Sequence, residues 1–194
     1  MQTFTRVYDT YSQAERAVAD LETAGVPAAD MSLVANKYVS EKYDNVDEVS
    51  GAATGAGVGA AVGGGAGLLA GLGLLAIPGV GPVVAVGWLA ATAVGALAGS
   101  AAGGLIGALA EAGTPERDAH VYSEAVRRGG TLLTVRTDTP ATTIDAALNK
   151  YQPIDPSKRR GEYEATGWKN YDPNAEPYKP NQADIERMRR KYEG

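Results

Sequence analysis

Apolar positions obey three different rules along this chain. Near the start, Phe4, Arg6 and Tyr8 alternate with Thr3, Thr5 and Val7, a period of two that predicts a short strand ending near Asp9. Ser12 then reads as an N-cap, and Glu15 three residues later completes a capping-box pattern. Ala14, Ala17, Val18 and Leu21 recur at helical spacing until Gly25 and Pro27 stop the helix. Met31 to Ala35 predicts a second strand, so residues 1–36 read as a βαβ unit. Residues 37–50 form a polar, acidic connector.

The second rule governs residues 51–111, and the first returns after them. Thr114-Pro115-Glu116 is a helix start, and Ala119, Tyr122, Ala125 and Val126 line one face as far as Gly129-Gly130. Thr131 to Arg136 predicts a β-rich strand and Thr142 to Tyr151 a further helix, so residues 112–151 read αβα. Neither flank carries enough apolar surface to stand alone. The expectation is therefore one small α+β domain, ferredoxin-like, split by the insert.

The insert has its own solvent requirement. From Gly51 to Ala110 there are sixty consecutive positions without Asp, Glu, Lys, Arg or His, and they hold 18 of the chain's 25 glycines. Ile77-Pro-Gly-Val-Gly-Pro82 divides the insert into two arms, because Pro78 and Gly79 break a helix and Pro82 suits the start of another. In the first arm Gly51, Gly55, Gly59, Gly63, Gly67 and Gly71 keep a four-residue spacing; in the second the row is Gly87, Ala91, Gly95, Gly99, Gly103 and Gly107. Glycine costs a helix about 1 kcal/mol per residue against alanine. Two such rows predict a glycine-zipper helical hairpin with its bend at 77–82, whose bare stripes let neighbouring backbones approach closely. Four residues turn a helix by about 400°, so the stripe winds around each arm and calls for several neighbours. That predicts a homo-oligomer.

Each arm is long enough to cross a hydrocarbon core of about 30 Å. A hairpin embedded in membrane lipid is the first expectation, with the polar domain on the cytoplasmic face. The alternative is a soluble cytoplasmic assembly whose hairpins bury one another. It is favoured by the weakly apolar start of the first arm and by the lack of a basic cluster marking the inside face. Trp88 suits either an interfacial anchor or core packing. The start of the chain has no basic, then apolar, leader, which predicts cytoplasmic polar parts.

The third rule belongs to residues 152–194, rich in proline and tyrosine. They are expected to be extended, with a short helix near Ala183–Tyr192. The segment is either a disordered tail or a strap onto a neighbouring subunit through Tyr163, Trp168, Tyr171 and Tyr178.

Composition narrows the chemistry. The chain has no cysteine and one histidine, which removes disulfides, thiol catalysis and thiolate metal sites and leaves no material for a histidine cluster. The net charge of −5 arises in the first fifty residues, and no basic patch points to nucleic acid. Gly55–Ala60 and Gly71–Ala76 fit a loose dinucleotide fingerprint, but neither follows a predicted strand nor precedes the required acidic residue. Glu41, Asp44, Asp47 and Glu48 read as a solvated acidic connector rather than a cation site. Arg127-Arg128 reads as a helix C-terminal charge pair, and His120 as a surface or half-buried residue. No catalytic residue, cofactor, metal or small-molecule substrate is predicted, and the chain is expected not to be an enzyme.

The pieces RVYDTYSQAERAVADLETAGVPAADMSLVAN, AIPGVGPVVAVGWLA and YSEAVRRGGTLLTVRTD resemble the bacterial general stress protein or heat-induced stress protein family. The likeness is to its subgroup with a glycine-zipper hairpin between the halves of the domain. It covers about residues 3–138 and leaves out the tail. It implies a membrane-associated, cytoplasm-facing stress-response protein and no reaction. The function expected is a non-enzymatic structural protein that self-assembles through the hairpin in the membrane. A soluble particle or scaffold is the alternative, and a ligand-binding regulatory module a weaker one.

Overall fold

The computed structural model describes residues 1–36, 73–77, 80–89, 92 and 104–175. Their strands are β1 (Gln2–Tyr8), β2 (Met31–Asn36), β3 (Gly73–Ile77), β4 (Gly81–Val86) and β5 (Thr131–Thr137). The α-helices are α1 (Tyr11–Thr23), α2 (Leu105–Glu111), α3 (Glu116–Arg127), α4 (Ala141–Asn149) and α5 (Pro156–Glu164). The fold is mixed α and β, around one antiparallel sheet of order β1-β5-β2-β4-β3.

Register sorts the side chains. Val7 pairs with Leu132, Leu132 with Val34, and Val34 with Ala85, making one apolar row across four strands. One residue along, Leu133, Leu33 and Val86 make a second row. Because side chains alternate between faces, the two rows lie on opposite sides of the sheet. Leu105, Leu109, Tyr122 and Val126 of α2 and α3 pack on the first; Ala14, Val18, Leu21, Ile144 and Leu148 of α1 and α4 pack on the second. Every residue of β2 is buried, as a strand covered on both faces must be. Each fully buried leucine contributes about 1.5–3 kcal/mol.

The first unit, β1-α1-β2, forms as its sequence predicts, with one change at the cap. Thr10, not Ser12, is the N-cap of α1: its Oγ1 accepts from the Gln13 backbone N–H at 3.2 Å, and the Gln13 side chain accepts the Thr10 N–H at 3.0 Å. Ser12 lies inside the helix and accepts from Arg16. α3 carries Glu116 and Asp118 in its first turn and Arg127 in its last, complementing the helix dipole. It stops at Gly129 (φ +108°), where the Gly130 N–H returns to the Ala125 carbonyl at 2.8 Å.

The topology corrects the ferredoxin-like expectation. β5, from the second flank, lies between β1 and β2, so the two flanks interleave in one sheet. In a ferredoxin-like sheet the first strand of each βαβ unit is central and both helices share a face. Here β1, the first strand of its unit, is an edge strand, β2 and β5, which follow α1 and α3, lie side by side inside the sheet, and α1 and α3 sit on opposite faces.

The centre of the insert is also corrected. Ile77–Pro82 does reverse the chain, with the Val80 N–H on the Ile77 carbonyl at 3.0 Å, but the flanks of the bend are strands β3 and β4, not helices. The neighbouring edge of β2 explains it. Gly81–Val86 carries three β-branched valines and gains a ladder beside β2 with both faces covered, and Gly73–Ile77 is a short apolar run that pairs with it. Pro82 starts no helix; it stands at the second position of β4, opposite Ala76.

Candidate functional site

Of the twelve residues in the predicted zipper rows, Gly87 and Gly107 are described; Gly51, Gly55, Gly59, Gly63, Gly67, Gly71, Ala91, Gly95, Gly99 and Gly103 lie outside the described residues. Gly87 does permit a close backbone approach, but within its own chain. It ends β4 at φ +91°, and a Cβ there would lie 2.3 Å from the Met31 carbonyl oxygen and 2.7 Å from Ser32 Cα. Its place is therefore intramolecular and non-helical. Gly107 is in α2, half-buried, on a helix that packs against α3.

The bend of the insert and the start of its second arm are absorbed by the domain. Ile77, Val80, Val83, Ala85 and Leu89 join the cluster beneath α2 and α3, while Val84 and Val86 face α1 and α4. Trp88 packs against the first cluster, with the Arg136 guanidinium carbon 4.2 Å from its ring centroid. Arg136 in turn faces Asp30 at 4.0 Å. Trp88 thus packs, half-buried, on the domain's core. Among the described residues, no helix is long and apolar enough to cross a membrane.

The tail is the second surface the sequence singles out, and here it docks on its own chain. Asp155 caps α5, its Oδ1 accepting from the Ser157 and Lys158 N–H groups at 2.8 and 3.0 Å, and Pro156 takes the first turn. The expected extended segment is therefore helical over 156–164. Ile154 donates its N–H to the Val7 carbonyl at 2.7 Å. Tyr163 and Tyr171 are buried, and Trp168 meets the Tyr163 ring edge-on at 5.5 Å. Three of the four predicted anchors therefore hold the tail, but against α3 and the sheet of the same chain; Tyr178 lies outside the described residues.

Charge is arranged beneath this docked segment. Glu124, its side chain 2% exposed, accepts from Arg127 at 2.8 and 2.9 Å and from Arg128 at 2.6 Å. The Arg128 guanidinium lies 4.4 Å from the centre of the Tyr163 ring. So the Arg127-Arg128 pair does more than complement the helix end: it neutralises a buried carboxylate that the spacing i, i+3, i+4 makes legible. Burial holds the Tyr163 hydroxyl above its ordinary range, although Arg159 and Arg128 pull the other way. Burial raises Tyr171 as well, against the pull of Arg127.

His120 lies on α3, with Nε2 4.0 Å from Glu116 and Nδ1 buried without a hydrogen-bond partner. Among the described residues no group of three His, Cys, Asp or Glu side chains could hold a metal ion. The second loose dinucleotide fingerprint, 71–76, runs into strand β3 instead of a turn leading into a helix; the first, and the acidic connector with Glu41, Asp44, Asp47 and Glu48, lie outside the described residues. No family model, no curated protein and no solved structure matches this chain.

Proposed function

We propose that this chain is a non-enzymatic structural protein that assembles with copies of itself through its uncharged, glycine-rich insert, as a soluble particle or scaffold in a bacterial stress response. The observation that carries the reading is the fate of the insert's centre. Ile77, Val80, Val83, Val84, Ala85, Val86 and Leu89, at and just after its bend, are spent on the domain's own core. What remains of residues 51–110 is dominated by glycine and alanine, well suited to close backbone packing, and its first half (51–67) is too weakly apolar to favour insertion into a bilayer. The stress-response setting is supported by the resemblance of the three segments quoted above. The absence of charge across sixty positions supports a protein–protein core, since a solvated loop of that length ordinarily carries charge.

Fractionation tests it. The full chain should stay in a detergent-free, high-speed supernatant as a defined large species, and Gly63→Leu with Gly99→Leu should reduce its size by light scattering. Recovery only in membranes would favour the lipid-embedded alternative. A monomer in plain buffer would overturn self-assembly altogether.

A further inference from the structure

We propose that the outer edge of β3 is a strand-pairing surface for a second copy of this chain. The two β3 strands would run antiparallel about a two-fold axis, joining the sheets of both copies. This deepens the self-assembly reading and rests on it.

Both faces of the sheet are covered by helices, so it can be extended only at its edges, β1 and β3. An open edge is a row of N–H and C=O groups ready to template another strand. The two edges are treated differently. Along β1 the Val7 carbonyl already accepts the Ile154 N–H at 2.7 Å. By the alternation of an antiparallel ladder, the outward groups of β1 are then those of Thr3, Thr5 and Val7. The Thr5 carbonyl is taken as well, by Arg6 Nη1 at 2.9 Å. A bound tail residue and a charged side chain therefore blunt that edge.

β3 has neither device. Gly73-Leu-Leu-Ala-Ile77 contains no charge and no proline, and among the described residues nothing pairs with its outer side. Pro82, opposite Ala76, has no N–H to give, so that pair takes the non-hydrogen-bonded place in the β3–β4 ladder. The backbone groups of Leu74 and Ala76 then face outward.

A second copy fits this edge by symmetry. With the two-fold axis at Leu75, Leu74 of each copy exchanges both bonds with Ala76 of the other. Antiparallel self-pairing brings like residues together, which is costly for a charged strand and free of that cost here. The blunted β1 edge stops further growth, so the product of this contact is a closed pair within any larger assembly.

At the axis, Leu75 would face its own copy at a non-hydrogen-bonded position, where Cα atoms stand about 4.5 Å apart. That suits a disulfide, and the chain has no cysteine of its own. The experiment is the oxidised full-length chain carrying Leu75→Cys, run on a non-reducing gel beside Thr23→Cys at the exposed end of α1. Light scattering of the unmodified chain provides its mass as a multiple of 20.0 kDa. A covalent dimer from Leu75→Cys but not from Thr23→Cys is expected. Ala76→Lys should halve the mass while circular dichroism stays unchanged. A multimeric parent whose Leu75→Cys form does not cross-link overturns the edge contact alone, as does equal cross-linking of both variants. A monomeric parent overturns this contact and the self-assembly reading together.

Discussion

Arg159 grips Asp9 with both arms of its guanidinium, Nη1 to Oδ1 at 2.8 Å and Nη2 to Oδ2 at 3.0 Å, across 150 residues of chain. The pair ties α5 to the end of β1. Burial alone would weaken the arginine's charge, but the carboxylate more than offsets it and holds the guanidinium protonated. Arg159 also reaches Glu162 at 3.0 Å, so one side chain organises both the helix and its docking.

Breaking that grip should loosen the tail before the sheet. Arg159→Ala is expected to cost about 1–2 kcal/mol, a charge-assisted bond discounted for partial exposure. Urea unfolding monitored by tryptophan fluorescence should show the loss, with early release of Trp168; an unchanged midpoint would count against the docking.

Glu124 should be the costlier loss. Glu124→Ala leaves the Arg127 and Arg128 charges without their buried partner and opens space beneath Tyr163, a destabilisation of about 2–4 kcal/mol. Glu124→Gln keeps the shape and should recover part of it. Chemical denaturation of the two variants side by side measures the difference.

Gly87 separates a strand-end role from a helical one. Gly87→Ala must place a Cβ 2.3 Å from the Met31 carbonyl at a φ of +91°, and should cost at least about 3 kcal/mol. Gly113→Ala shares a positive φ, +84°, but meets open space, so only the backbone strain of about 1–2 kcal/mol remains. Thermal melting of both decides it. A helical zipper position would tolerate alanine.

Alkali should unfold this protein from its tyrosines. Tyr8, Tyr163 and Tyr171 are all raised, burial being the leading cause in each. A phenol with a raised folded value stabilises fully below its unfolded value of about 10, and that contribution drains away as pH climbs from there through the folded value. Stability should therefore fall steadily above about pH 10, read as a declining urea midpoint by circular dichroism. Tyr163→Phe with Tyr171→Phe should flatten that limb; an equally steep decline in the double variant would contradict it.

Much of the domain was legible because its signals are local. The alternation of Thr3 to Tyr8, the spacing of Ala14, Val18 and Leu21, and the stop at Gly129-Gly130 each act within a few residues, and the elements appear within a residue or two of their expected bounds. The cap shift from Ser12 to Thr10 shows how two hydroxyls close together leave the choice to the Gln13 side chain. Asp155-Pro156 carried a readable helix start, but the proline-rich surroundings obscured it.

What residues 73–86 became was undetermined locally. A short uncharged run of Leu, Ala, Val and Gly satisfies a helix or a strand almost equally, and the glycine spacing favoured the helix. The open edge of β2 tipped the balance, because a ladder partner and two covered faces are gains that no residue in the run can announce. The tail followed the same logic: its aromatic anchors were visible in the chain, whereas their target depended on Asp9, Glu124 and Arg128 coming together in space. The order of amino acids alone thus set which segments are strands or helices on either flank, where the chain turns, and which residues must be hidden. Strand order, the helices on opposite faces and the destination of the insert's centre and the tail were decided only in three dimensions, because they depend on surfaces built from residues far apart along the chain.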